Sequence, residues 1–407
     1  MFPRITLMSA AVLCLLAAAM DGASVHAAMI RVALTQEAQR VTVTARGGVT
    51  LSFQANPVGA IIAGSVEVVP GVGELIVNGM RRGGSVLIQG RHEDVTVVID
   101  VPRTVPGNGA EDPARLKADS VRQDLVVSGA VQILPRGKGL LVVNELDLEE
   151  YVEGVVPFEM SPSWHPEALK AQAVAARTYA LYQRMMTAGR EYDVMAGTQD
   201  QVYRGRTQVD QRVQQAVEAT RDLILTHRNA PILAAFSSTA AGPTEDAINV
   251  WSKDLPYLKG VDCPFDANSP YYQWRAAIKL QEFEASLRRY GMMVGTIATV
   301  TPFSYSRAGR VTGVRILHSR GELVLRGEEL RRAVGYSSIP SALFEVESLG
   351  REVVLAGRGA GHGVGLCQWG AKELAELGYS FGSILQYYFP GTQLQELRSL
   401  GSLAPPS

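Results

Sequence analysis

LDLEEYVEGVVPFEMSPSWHPEALKAQAVAARTYAL, residues 146–181, is where this chain changes character. N-terminal to it, from Ile30 to about Val101, the pattern is short and strand-like: IRVAL (30–34), VTVTA (41–45), ELIVNG (74–79), SVLIQG (85–90) and VTVVIDV (95–101). Val, Ile and Thr alternate there with polar residues, and Gly, Asn and Pro punctuate them, which is the period-two signature of half-buried strands. Within 146–181 the period lengthens. Leu146–Val156 is acidic with an apolar face and predicts a short helix. Pro166 opens a longer one, because proline is tolerated at a first helical position, with Ser163 or His165 as its cap. Ala168, Ala171, Ala173, Ala175, Ala176 and Ala180 keep that helix slim, so a neighbour can approach it closely.

Working outward, Pro102–Pro113 is polar and turn-rich and reads as a loop or linker, followed by strands around Asp124–Leu134 and Gly139–Glu145. Beyond 181, a helix is predicted over Thr207–Thr220. Strands and helices then alternate: LILTHRN, PILAAFSST, a helix near Gln281–Tyr290, VTGVRILHS, ELVLRG, EVVLAG and a last helix from near Gly370. No fixed-period repeat is present. The fold class predicted is α+β: a β-rich N-terminal region over 29–136, a mixed α+β domain over 137–395 and a tail over 396–407.

The composition excludes several function classes. The chain has 407 residues, 46% hydrophobic and 19% charged, enough to bury a sizeable core and unlike a disordered or low-complexity chain. Formal net charge is −1, from 39 Lys+Arg against 40 Asp+Glu. Nucleic acid is therefore not an expected partner, since that affinity comes from clustered positive charge. At the N-terminus, Arg4, the apolar run Ile5–Met20 and the small residues Val25 and Ala27 form the layout of an export signal, with cleavage expected before Ala28 or Met29. The run is shorter than the roughly 20 residues that span a bilayer. The mature chain is expected outside the cytoplasm, in the periplasm or the extracellular cell wall. Export leaves Cys263 and Cys367 in an oxidising compartment, where they form either one disulfide or two separate buried thiols. A cysteine-built zinc or iron–sulfur site is not expected from three cysteines and six histidines.

Two segments carry chemistry. In the first, Asp147, Glu149, Glu150 and Glu153 read as a solvated acidic helix face. Glu159 differs: Val155-Val156-Pro157-Phe158 precede it and Met160 follows. A carboxyl group in apolar surroundings is costly to ionise, so its pKa should rise, as a general acid near neutral pH requires. The competing reading is a buried Glu159 paired to an arginine such as Arg177. The second segment is GRGAGHGVGLCQWGAKELAELGYSFGSILQYYFPGT, 357–392, with five glycines between Gly357 and Gly365 around His362. Its spacing matches neither nucleotide-binding glycine motif. Glycines at alternate positions let backbone approach a ligand or a strand closely. His362, Gln368 and Trp369 offer a donor or acid/base group, an amide and a stacking face, a set that suits sugar rings; a packed turn with a core Trp is the alternative. Ordinary glycoside hydrolysis uses two carboxylates. One suffices where the sugar supplies its own nucleophile.

These segments resemble the SpoIID/LytB family of cell-wall proteins. The resemblance runs from roughly Gly137 to Thr392 through LDLEEYVEGVVPFEM, EALKAQAVAARTYAL, QVYRGR, AVEATRDLIL, TEDAINVW, PYLKGV, GHGVGLCQWGAKELAELGYSF and YYFPGT. It implies a lytic transglycosylase acting on peptidoglycan glycan strands, with Glu159 as the catalytic glutamate. Gln172, Arg177, Ser238, Thr239, His362, Gln368 and Trp369 join it as candidate substrate-binding residues. Some members carry histidines in a segment like YHSSSGGHTE, where a metal can sit. This chain reads FSSTAAGPTE, with Ser237 and Pro243 at the histidine positions and Ala241 for one glycine. No zinc or other cofactor is therefore expected. A non-catalytic enhancer of a cell-wall amidase and a plain glycan-binding module are the alternative readings.

Overall fold

The structure is a computed structural model and describes residues 28–54, 56–91, 93–102 and 120–400. The expected export signal and most of the expected linker lie outside the described residues. The fold class is α+β, as the sequence predicts. Among the described residues the N-terminal part forms two facing sheets. One runs in the order Val194–Met195, Met29–Ala38, Gly139–Asp147, Ala130–Arg136, Val86–Gly90, Val49–Phe53, Asn56–Ile62. The other runs Ser120–Val127, Val95–Pro102, Arg40–Thr44, Ser65–Pro70, Leu75–Val77, Met80–Arg82. The alternation is what lets them pack: Val41, Val43, Val97 and Ile99 from one sheet and Leu51, Ile88, Ile133 and Val142 from the other are buried in one core.

Gly139–Asp147 is the strand that joins this sandwich to the helices. It pairs with Met29–Ala38 on one side and Ala130–Arg136 on the other, and six consecutive residues of it are buried because both faces are covered. The boundary expected at residue 137 is thus the turn of a hairpin within one sheet. Asp147 ends the strand and caps helix α1 (Leu148–Glu159): its Oδ1 accepts from the N–H groups of Glu149 (2.8 Å) and Glu150 (3.4 Å). Helix α2 (Pro166–Met186) begins at the predicted proline, with His165 as cap, its Nδ1 accepting from the Glu167 N–H at 3.2 Å. The alanines of α2 are buried against α1, α3 (Gln211–Glu218), α7 (Gln368–Glu376) and α8 (Phe381–Tyr388). α3 is shorter than predicted, because Asp210 caps it. α8 was not predicted.

The chain from 274 to 357 builds a second core, which the sequence reading did not separate from the rest. Strands Trp274–Lys279, Glu352–Gly357 and Phe344–Leu349 form one sheet; Ile297–Tyr305, Val311–His318 and Gly321–Leu325 form another. With α5 (Leu280–Arg289) and α6 (Gly327–Val334) they bury Phe283, Leu287, Val314, Ile316, Leu330 and Leu355. The short α4 (Ala247–Trp251) leads into this lobe. At the C-terminus, Gln393–Glu396 pairs with Leu223–His227, so the expected tail from 396 begins inside a strand. No helix among the described residues is long and apolar enough to cross a membrane.

Candidate active site

Glu159 is the last residue of α1. Pro157 withdraws an N–H from the helical ladder, and Met160 turns to extended backbone. The carboxylate therefore sits at the negative end of the helix dipole, which disfavours its charge. Its Oε1 accepts from the Val202 N–H at 2.8 Å, and its Oε2 faces the Gln368 amide at 3.4 Å. Burial is the largest influence on Glu159 and raises its pKa above the ordinary carboxylate value; the two hydrogen bonds pull the other way and do not cancel it.

The QVYRGR segment explains why Val202 is there. Gln201 and Tyr203 on either side of Val202 are both fully buried. Gln201 Oε1 accepts from Tyr151 Oη at 2.9 Å, and Tyr203 Oη donates to Asn144 Oδ1 at 2.8 Å. Asn144 in turn donates to the carbonyls of Ser128 and Ala130. Anchored at both flanks, the Val202 N–H is fixed on Glu159.

Gln368 opens α7, and Cys367 is its cap residue. The Gln368 Nε2 lies 3.4 Å from both Glu159 Oε2 and Gln172 Oε1, so three of the predicted residues meet at one point. Gln172 is buried, and its own Nε2 has no partner. Trp369, one residue on, packs edge-to-face on Trp164 with ring centroids 5.1 Å apart, and both rings are partly exposed. Trp164 lies in the SPSWHP turn between α1 and α2 and was not predicted; an aromatic beside a predicted acid was the available signal.

Other predicted residues are placed elsewhere. Arg177 does not face Glu159. Its Nε and Nη2 grip Glu149 at 2.7 and 2.6 Å, and Nη1 donates to the Leu223 carbonyl at 3.0 Å. A fully buried guanidinium with its donors so occupied holds α1 to α2, and it is corrected here from a substrate-binding to a structural residue. Glu149 is likewise corrected: it is buried, not on a solvated face. Thr239 is fully buried, and its Oγ1 bonds Ser269 Oγ at 2.6 Å, which leaves no free group for a ligand. Ser238 stays partly exposed, and its carbonyl accepts from the Trp369 N–H at 3.1 Å.

The glycine run is a packed turn. Gly359, Gly361, Gly363 and Gly365 all have positive φ. A Cβ on Gly359 would stand 2.7 Å from the Thr239 carbonyl oxygen, and one on Gly361 2.6 Å from Ser237 Cβ. These glycines thus let the run lie against 235–240, where Leu366–Cys367 pairs with Phe236–Ser237. Ala241 occupies a left-handed conformation (φ 55°) at the position where the resembled segment has glycine, at a cost of about 1–2 kcal/mol.

His362 is held as a neutral ring. Its Nδ1 accepts from the Val364 N–H at 3.0 Å, and its ring lies on Trp251 with centroids 4.9 Å apart. Burial first, then the nearby Arg331 and Arg310, push its pKa down to about 3. Neutral His362 lines a cleft of about 890 Å³ between the two lobes, together with Trp251, Lys253, Tyr271 and Tyr336. The opposite wall carries Tyr179, Gln183 and Asp200. Glu159 does not line this cleft. The link between them is Asp200–Val202, whose first residue is in the cleft wall and whose last holds Glu159. Asp200 accepts from Tyr179 Oη, Gln183 Nε2 and the Met195 N–H, so it is no free second carboxylate.

Comparison with known proteins shows the family of the chain. A family model described as "Stage II sporulation protein" matches residues 136–227, which contain α1, α2 and the Val202 segment. Stage II sporulation protein D of Bacillus subtilis is 34% identical over 271 residues, covering 62% of this chain and 76% of that protein. The chain belongs to the SpoIID family. An uncharacterised protein of Brachyspira hyodysenteriae is 35% identical over 267 residues, covering 65% of this chain and 71% of that one. The amidase enhancer of Bacillus subtilis is 32% identical over 290 residues, 60% of this chain and 40% of the enhancer. A second model, described as a domain of unknown function, matches 249–365, the stretch that contains the second core.

Proposed function

We propose that this SpoIID-family chain is an exported lytic transglycosylase that cleaves the MurNAc–GlcNAc β-1,4 bond of peptidoglycan glycan strands. The observation that carries the reading is Glu159: one carboxyl group, its pKa raised by burial at a helix C-terminus, held by Val202 and Gln368 next to Trp369 and its partner Trp164. In this mechanism the Glu159 carboxyl donates its proton to the glycosidic oxygen as the C1–O bond breaks. The carboxylate so formed removes the proton from the muramyl C6 hydroxyl, O6 bonds to C1, and a 1,6-anhydro ring closes. Glu159 ends protonated and no water is consumed. The engaged state of Asp200 supports this one-carboxylate chemistry over a carboxylate pair. Trp369 and Trp164 supply faces for sugar rings, and Gln172, Gln368 and Ser238 supply polar groups.

The likeness to an amidase enhancer favours a second reading, in which the same residues bind glycan and present it to a cell-wall amidase without cutting it. Mass spectrometry of the products from purified sacculi, with and without stem peptides, separates the two. Release of 1,6-anhydro ends that is absent in Glu159→Gln supports the enzyme. Intact glycan on both substrates, with stimulation of an added amidase, supports the enhancer.

A further inference from the structure

Below the first turn of α7, three buried side chains that the cleavage reaction does not use converge. Cys263 and Asp266 come from one loop, in the order Cys263-Pro264-Phe265-Asp266, and Cys367 caps α7. One ligand atom from each lies within 4.8 Å of the other two, and all three residues are at most 2% exposed. Both cysteines belong to the main hydrophobic core, yet each sulfur also has polar neighbours. Cys263 Sγ is 3.2 Å from Tyr388 Oη; Cys367 Sγ is 3.2 Å from Asp266 Oδ2 and accepts from the Ala240 N–H at 3.3 Å. Asp266 Oδ2 also accepts from the Ala241 N–H at 2.8 Å, whereas its buried Oδ1 meets no donor. A buried carboxylate oxygen without a hydrogen-bond partner is costly, and a directly coordinated cation would satisfy it.

We propose that Cys263, Asp266 and Cys367 form a structural site for a thiophilic divalent cation, zinc(II). The two-residue gap between Cys263 and Asp266 is the spacing of zinc-ligand pairs in small structural sites. A tetrahedron with Zn–S near 2.3 Å and Zn–O near 2.0–2.2 Å has edges of roughly 3.4–3.8 Å, which the cluster accommodates with small side-chain shifts. Two sulfur ligands select against magnesium and calcium, which take oxygen. Tyr388 Oη, beside Cys263 Sγ, offers an oxygen as a fourth ligand. Binding releases the two thiol protons to solvent, and the dication with two thiolates and one carboxylate carries one net negative charge. Arg310, a buried cation that faces Glu245 first and then Cys367 and Asp266, offsets part of it. Arg310 also donates to the carbonyls of Ala240 and Pro243, so the same charges hold the 238–243 turn. The site is separate from that segment's histidine positions, filled here by Ser237 and Pro243. It would tie the 263–266 loop and the Ala240–Ala241 turn to the residue immediately before Gln368.

The test is metal content, which does not depend on any cleavage activity. Full-length protein is purified under reducing conditions with zinc and analysed by inductively coupled plasma mass spectrometry and by non-reducing peptide mapping. We expect one zinc per chain with the 263 and 367 peptides unlinked. Cys263→Ser/Cys367→Ser and Asp266→Asn should each lose the zinc while keeping their circular dichroism. A folded wild type that takes up no zinc, or one whose 263 and 367 peptides are joined by a disulfide, overturns the site. Should the variants fail to fold, cobalt(II) on the wild type decides: a thiolate-to-cobalt charge-transfer band supports the site and its absence refutes it.

Discussion

α1 carries a glutamate at each end, and the two have opposite fates. At the N-terminal end, Glu149 lies under the Arg177 fork, takes two charge-assisted hydrogen bonds and receives a third contact from the Asp222 N–H. At the C-terminal end, Glu159 is also packed into the protein, but its partners are one backbone N–H and one side-chain amide. The helix dipole favours a carboxylate at the first site and opposes it at the second. The difference teaches that burial alone does not make an acid: a buried carboxylate with a cation is a clamp, and one without a cation has its pKa raised.

Exchanging the side chains tests this contrast, and the largest effect is expected at Glu159. Glu159→Gln keeps shape and hydrogen bonding but neither donates nor accepts the proton. One acid–base group contributes about 10²–10⁴-fold. Since Glu159 serves both halves of the reaction, release of anhydro ends should fall by the upper end of that range, with the melting temperature unchanged. Near wild-type release would remove Glu159 from the mechanism. Glu149→Gln should do the reverse. It strands the Arg177 guanidinium, and breaking a buried pair this way costs about 3–5 kcal/mol. Urea unfolding should show that loss, while the product released by the folded fraction stays the same. An unchanged midpoint would mean that water or another group satisfies Arg177.

A smaller effect separates the two hydrogen bonds on Glu159. The Gln368 amide favours the charged form, so Gln368→Leu raises the Glu159 pKa further. Catalysis begins from the protonated acid, so the alkaline limb of the pH–rate profile should move to higher pH. A bond at 3.4 Å is weak, so the displacement should be small. A shift to lower pH would show that the amide contacts substrate and not Glu159.

The parts of this molecule legible in the sequence are those with short-range causes. Pro166 and the alanines mark α2, the Val/Ile/Thr alternation marks the sandwich, and the apolar neighbours of Glu159 mark its burial. What was illegible depends on distant chain segments. Nothing near Arg177 says that its partner is 28 residues back on α1. Thr239 looks free until Ser269 meets it. The second core needed strands such as Ile297–Tyr305, interrupted by register shifts that blur the alternation, and these were not read as strands. The glycines around His362 left open the approach of a ligand or of a strand, because a glycine permits close contact with either; the structure places segment 235–240 there.

The smallest effect concerns His362, which the sequence reading put near the chemistry. In the folded chain its pKa is pushed down from 6.5 to about 3, chiefly by burial, so the native state holds a neutral ring where the unfolded chain takes up a proton. The sign follows from that difference. Above pH 6.5 neither state binds the proton and His362 leaves stability independent of pH. As the pH falls from 6.5 towards 3, only the unfolded state gains it, so stability contributed by the neutral ring is lost over this window. His362→Gln, which keeps a polar planar group against Trp251, should flatten the fall of melting temperature with acidity across the same window, with little change at pH 8. Calorimetry on the two proteins at a series of pH values measures this. If both curves keep the same slope, His362 protonates equally in the folded and unfolded chain, and its packing against Trp251 in the cleft wall does not hold the ring neutral.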